Sequence, residues 1–261
     1  MIGPTPLLDS FKRGEVERDA RLLAAQGTLA PRAYEQLAIL VLLLEDPDEE
    51  IRSAANETLD RIPAETLKTF LARADIPIGM REFFADRGVF PDEMPPITDE
   101  AIDADGPLVD TAGEGDGDEE DDRDSAMQKL AKMTFPQRLK AAVKGSREMR
   151  AILIRDPNKM ISAAVLSSPK LSEPEVESFA RMGSVSEDVL RIIGSNRAWT
   201  KKYNVILGLT KNPKTPLAMS LNFMARLSAR DLTQLSVDRN VPEALRIGAR
   251  KRIATNTTGR G

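Results

Sequence analysis

The chain has 261 residues, 41% of them apolar but only 4% aromatic, and it contains neither Cys nor His. This composition favours helices packed through Ala, Leu, Ile and Val over a β-sandwich, which leans on aromatic and β-branched residues. It excludes disulfides and thiolate metal sites and removes the commonest general base and zinc ligand. The net charge of −4 conceals a division, with a balance of −19 in residues 1–125 and +15 in residues 126–261. An asymmetry of that size points to partners rather than to fold.

The first residues, Met1 to Gly14, lack the continuous apolar stretch of a signal peptide, because Asp9, Lys12 and Arg13 interrupt them. The longest apolar run, Leu37 to Leu44, falls far short of the roughly 20 residues of a membrane helix and reads as a central core helix. Both features, with the absence of Cys, give a cytoplasmic expectation.

The first block, residues 12–90, is helical by pattern. Ile51, Ala54, Ala55, Thr58, Leu59 and Ile62 share one helix face, and Leu67, Phe70, Leu71 and Ala74 repeat the pattern behind Pro63. Between them, Asp46 reads as an N-cap with Pro47 in the first turn. Residues 91–124 then lose all periodicity. Pro91, Pro95, Pro96 and Pro107 precede the acidic run from Gly113 to Asp122, too polar and too like-charged to offset chain entropy, and this segment reads as a disordered acidic linker. Asp116 to Asp121 has oxygen ligands at close spacing, but Asp121 stands where a calcium hand needs Gly, and a solvated linker is the better reading.

The second block, residues 125–255, returns to short amphipathic helices. Its stripes are Met149, Ile152 and Leu153; Met160, Ile161, Ala164 and Val165; Val176, Phe179 and Ala180; and Val189, Ile192 and Ile193. They continue with Trp199, Tyr203, Ile206 and Leu207, then Leu217, Leu221 and Met224, and finally Leu245, Ala249 and Ile253. Trp199 and Tyr203 lie one turn apart and read as core residues rather than stacking platforms.

Two echoes run through the chain. Ser168-Pro169-Lys170 and Asn212-Pro213-Lys214 stand 44 residues apart, as do Phe179 and Phe223, and Asn196 and Asn240. Leu44 to Ala55 matches Ile154 to Ala164, with Asp46 on Asp156, Pro47 on Pro157 and Ile51 on Ile161. On these residues the chain resembles HEAT-like repeats and the related leucine-rich-repeat-variant type, over about 15–87 and 130–255. Residues 46–55 look like a HEAT inter-helix turn and second helix, and the Asn-Pro-x-Thr-Pro phrase at 212–216 looks like the variant's turn. Ser168 and Ser172 depart from that phrase, and the interval drifts. The resemblance implies an all-α fold of helical hairpins stacked as an α-solenoid, in two blocks around the linker, and an interaction surface rather than an active site.

No phosphate-binding loop, dinucleotide fingerprint or catalytic constellation stands in the sequence, so no cofactor and no enzymatic activity are expected. The candidate partner contacts are basic: Lys140, Lys144, Arg147 and Arg150, then Lys201, Lys202, Lys211 and Lys214, then Arg246 and Arg250. The expected function is a protein-binding scaffold or adaptor whose partner is another protein, acidic in character. The alternative is a nucleic-acid-binding module in the basic block, with the acidic linker regulating access.

Overall fold

The computed structural model describes residues 5–30, 32–92, 108 and 123–258, and every regular element among them is helical. The linker expected over 91–124, with its calcium-like stretch, lies outside the described residues except for Pro91, Asp92, Leu108, Arg123 and Asp124. Among the described residues, no helix is long and apolar enough to cross a membrane.

Contacts divide the chain into two compact units, one made of residues 1–150 and 163–169, the other of 151–162 and 170–261. The sequence pattern opens the second block at residue 125, whereas the contacts gather the helices that follow the linker into the first unit.

The first unit contains α1 (Pro6–Lys12), α2 (Arg18–Ala25), α3 (Ala33–Leu43), α4 (Glu49–Asp60), α5 (Ala64–Leu71), α6 (Ile78–Ala85), α7 (Arg123–Ala131) and α8 (Phe135–Lys144). From Leu37 onward, helix α3 is apolar around its whole circumference, and that is why it sits at the centre with α1, α2 and α4 packed on it. Leu37, Ile39, Leu40 and Leu43 are buried there. Helices α1, α2 and α6 end at Gly14, Gly27 and Gly88, each at positive φ. The following N–H reaches back to satisfy an orphan carbonyl, as from Thr28 to Leu23.

Helix α4 corrects the cap read from sequence. Asp46 sits in the turn and accepts the Asp48 N–H at 2.9 Å, and Asp48 is the N-cap, accepting from Glu50 at 3.0 Å. Pro47 between them has no N–H to lose, so the Asp-Pro-Asp phrase first breaks one helix and then starts the next. The same device recurs at Asp156-Pro157-Asn158, where Asp156 accepts from Asn158 and Asn158 from Met160, both at 2.9 Å. It separates α9 (Arg147–Leu153) from α10 (Lys159–Ser167).

The second unit continues with α11 (Glu173–Arg181), α12 (Glu187–Ser195), a 3-10 turn (Trp199–Lys201), α13 (Tyr203–Lys211), α14 (Leu217–Met224), α15 (Ala229–Val237) and α16 (Glu243–Thr258). Here α12, α13 and α15 end on Asx side chains. Asn196, Asn212 and Asp238 each accept the N–H two residues on, at 2.9, 3.1 and 2.9 Å. Asp238 rather than Asn240 is therefore the counterpart of Asn196, and that part of the 44-residue echo is two positions out of register.

Neighbours in space alternate along the chain. Helix α13 lies on α11 at Gly208, where a Cβ would stand 3.2 Å from the Ala180 Cβ. On its other side the Tyr203 hydroxyl joins α13 to the start of α15, accepting the Ser228 N–H at 3.0 Å. In the other row, Met219 of α14 fills the space over Gly194 of α12, and Gly248 of α16 receives Met224 and Leu221 of α14. Helices α11, α13 and α15 thus form one row and α12, α14 and α16 a second. Between them lies a core that includes Ile206, Met224, Leu232, Leu235, Leu245 and Ala249. The 44-residue interval spans three helices, which places α11 and α14 in opposite rows. The shared Pro-Lys phrase ends a helix in either row and does not mark a helix pair.

Asn212 is 3% exposed, and its amide closes this packing: Nδ2 donates to the Ala180 and Met182 carbonyls at 2.9 and 3.0 Å while Oδ1 holds the Lys214 N–H. Asn212→Ala leaves those buried groups unpaired and is expected to cost about 2–4 kcal/mol in urea unfolding. Asn212→Asp, which turns an oxygen onto two carbonyls, is expected to cost at least as much. A Gly208→Val change should cost about 1–3 kcal/mol by prising α13 from α11. Gly79→Ala, with nothing within 4 Å of the added atom, should be stabilising by up to about 1 kcal/mol in the same assay.

Candidate interaction surface

The basic residues singled out from sequence fall in both units. Lys140, Lys144, Arg147 and Arg150 belong to the first unit, and Lys201, Lys202, Lys211, Lys214, Arg246 and Arg250 to the second. Arg150 is only 4% exposed and donates to the Gly145 carbonyl at 2.9 Å, so it is a packing residue. Lys140 is half-buried, while Lys144 and Arg147 are exposed. In the second unit, Lys202 pairs with Glu173 at 2.9 Å, Lys211 donates to Gln234 at 3.1 Å and Lys214 to the Val185 carbonyl at 3.1 Å. Arg250 reaches the Ser236 carbonyl at 3.3 Å, and Lys201 is exposed. The Arg246 Nε is buried without a hydrogen-bond partner.

The row of α11, α13 and α15 is cross-braced by polar side chains. Asn204 of α13 donates to Glu177 of α11 at 3.2 Å. Toward α15, the Tyr203 hydroxyl that accepts from Ser228 also donates to Asp231, and it shares Asp231 with the Ser228 hydroxyl at 2.7 Å. Tyr203 is thus a surface clamp, 40% exposed, and the core role read from its spacing is corrected; the hydroxyl's partners on α15 hold it outside. The Asp231 carboxyl is held below the usual carboxylate range, first by the Tyr203 hydroxyl and then by Ser228.

The α14–α16 pair is different. Leu217 and Leu221, one turn apart, are 41% and 38% exposed, and Ile247 of α16 is 42% exposed. The sequence pattern assigns Leu217 and Leu221 to the core with Met224, but only Met224 enters it. Helix α14, Leu-Ala-Met-Ser-Leu-Asn-Phe-Met, carries no charge and is apolar on more faces than its neighbours cover, and that excess is the sequence signal for the surface. Gly248 lies between the two helices, and the Met224 and Leu221 side chains of α14 pack over it, 2.9 and 3.5 Å from where a Cβ would stand.

Cations follow these apolar residues along the chain. Arg226 follows α14, and Arg250 and Lys251 lie three and four positions beyond Ile247; all three are exposed. Among the described residues, no carboxylate lies within ion-pair distance of Arg226, Arg250, Lys251 or Arg252. In contrast, α10 to α12 pair theirs, as in Lys159–Asp188 at 2.8 Å, Arg191–Glu187 and Arg181–Glu177. Arg252 instead donates to the Ala225 carbonyl at 3.1 Å, tying α16 to the end of α14.

In the first unit, an open groove is lined by Gln26, Thr28, Ala54, Glu57, Thr58, Asp60 and Arg61, and its charges are mixed. No group of three or more His, Cys, Asp or Glu among the described residues is placed to hold a metal ion. No protein-family model, curated protein or solved structure matches this chain.

The Asp231 carboxyl binds a proton more weakly in the folded chain than in the unfolded one, where its pKa is about 3.9. Its ionisation therefore adds stability that is present above that value and is lost as pH falls through the lower folded one. The melting-temperature gap between the wild-type chain and Asp231→Asn should be widest near neutral pH and narrow below about pH 4. Tyr203→Phe should move the Asp231 titration upward in carboxyl NMR. A gap that does not change with pH would contradict this assignment.

Proposed function

We propose that this chain is a non-catalytic scaffold or adaptor that holds a protein partner on a stacked-helix surface. The observation that carries this reading is the contrast between the two rows. One row uses its outward polar groups on itself, while α14 and α16 present Leu217, Leu221 and Ile247 beside cations that have no carboxylate partner. Exposed leucines scattered singly mean little, but three exposed apolar side chains on adjacent helices form a patch of the kind that marks interaction sites.

The α-solenoid architecture belongs to the same proposal. Packing of α11 on α13, of α14 on α16, and of α2 on α4 and α1 on α3 in the first unit follows the next-but-one pattern expected of stacked helical hairpins. The twin Asp-Pro-Asx turns at 46–48 and 156–158 support it, as they are the phrases that resemble HEAT-like turns.

The nucleic-acid alternative has less support. Of the lysines it would use, Lys202, Lys211 and Lys214 are engaged within the second unit, and the α14 surface carries no Lys or Arg with which to track a phosphate backbone.

A photo-crosslinking residue at Ala218, exposed on α14, tests the scaffold reading in nuclease-treated lysate. The full chain should give a discrete protein adduct. The Leu217→Ser/Ile247→Ser variant, folded by circular dichroism, should lose at least about nine-tenths of it, corresponding to more than about 1.4 kcal/mol of binding. An adduct unchanged by the double substitution would exclude this surface.

A further inference from the structure

We infer that the surface of α14 and α16 takes an acidic amphipathic helix, its apolar stripe laid on Leu217, Leu221 and Ile247 and its carboxylates set against Arg226, Arg250 and Lys251. This rests on the reading of that surface as a partner site and gives the partner a chemistry.

The helical form is dictated by what the surface lacks. An extended segment gains affinity by pairing its backbone with a sheet edge, and no strand stands among the described residues. Laid on leucine and isoleucine side chains, its N–H and C=O groups would be stripped of water and left unpaired. A helix satisfies its own backbone and needs only an apolar ridge to place in a furrow, with anchors one turn apart. Leu217 and Leu221 present that spacing on the exposed side of α14.

The acidic character is dictated by charge. Helix α14 has no ionisable side chain, and α16 offers Glu243 as its one acid against Arg246, Arg250, Lys251 and Arg252. Arg226, Arg250 and Lys251 have no carboxylate within ion-pair distance among the described residues, whereas α10, α11 and α12 pair Lys159, Arg181 and Arg191 with Asp188, Glu177 and Glu187. A carboxylate-flanked helix supplies the missing partners; a basic one would add like charge beside every anchor. A nucleic acid would find cations at the edges and leucine at the centre, where a phosphate cannot be used.

The test uses the full chain and two labelled helical peptides read by fluorescence anisotropy. Both carry Leu at one-turn spacing, one flanked by Glu and the other by Lys. The wild-type chain should bind the Glu peptide at least about tenfold more tightly than the Lys peptide. Arg226→Glu/Lys251→Glu should reverse that preference, whereas Arg197→Glu, an exposed cation in another turn, should leave it unchanged. Leu217→Ser/Ile247→Ser should abolish binding of both. Equal affinity for the two peptides, or a preference unmoved by the charge reversal, overturns the acidic-helix proposal. If the serine variant still loses its crosslinked adduct in that case, the interaction surface stands and only its partner chemistry falls. If the serine variant keeps both the adduct and peptide binding, both fall.

Discussion

The amide of Asn212 is the contact on which the second unit depends. It occupies the one point where the end of α11, the end of α13 and the turn into α14 meet, and it binds backbone groups of α11's end and of that turn. A buried amide has few arrangements that satisfy both its ends, so fixing Asn212 fixes the register of α13 against α11. Gly208 allows the same two helices to approach closely, since an added Cβ would stand only 3.0 Å from the Arg181 Cγ and 3.2 Å from the Ala180 Cβ. Position along the row is therefore set by a hydrogen-bond clamp, and separation by a missing side chain. Helix α14 starts five residues after Asn212, behind Thr215 and Pro216, and inherits its direction from that clamp.

With the register fixed in this way, the two rows divide the labour between them. Bonds such as Asn204 to Glu177 and Tyr203 to Asp231 span neighbouring helices and hold the first row to itself. Individually such exposed contacts are weak, typically under about 1 kcal/mol, but they leave few outward groups for a partner. The second row is joined by methionines instead. Met219 and Met224 fill the gaps over Gly194 and Gly248, and a flexible thioether adapts to an irregular space without demanding a polar partner. The result is a row fastened from beneath, which leaves its outer apolar residues uncommitted.

Much of this was legible in the sequence, and the failures have physical causes. Element type was clear wherever apolar residues repeat at helical spacing, as at Ile51, Ala55 and Leu59, or run unbroken, as in α3. Helix boundaries were legible in the Asp-Pro and Asn-Pro phrases, because proline and an Asx side chain stop a helix by local chemistry alone. The role of each Asx was harder. Asp46 and Asp48 compete for the N-cap, and which of them wins depends on where the preceding helix ends, a tertiary matter. Spacing also misplaced Leu217, Leu221 and Tyr203. A helical stripe marks one face, but it cannot tell whether a neighbour exists to cover it. The 44-residue echo failed for a related reason: similar end phrases serve helices in either row, so sequence recurrence counts helix ends rather than layers.

The charge asymmetry of the sequence takes a different meaning once the side chains are placed. A surplus of cations in the C-terminal half suggests a uniform basic surface, yet Arg150 is buried and Lys202, Lys211 and Lys214 are held by groups of their own unit. At α16 and the end of α14, Arg226 and Lys251 are exposed and have no carboxylate within ion-pair distance among the described residues, while Arg250 and Arg252 donate to backbone carbonyls. Charges at the rim of an apolar patch chiefly affect how fast a partner arrives and which partner is refused, while the desolvated centre sets how long it stays. On the proposed reading, an apolar centre with a cationic rim would select by the sign of the partner's charge before binding by contact. Leu217 and Leu221, left uncovered on the uncharged helix α14, supply that centre, and the rim comes from the residues that follow α14 and from α16.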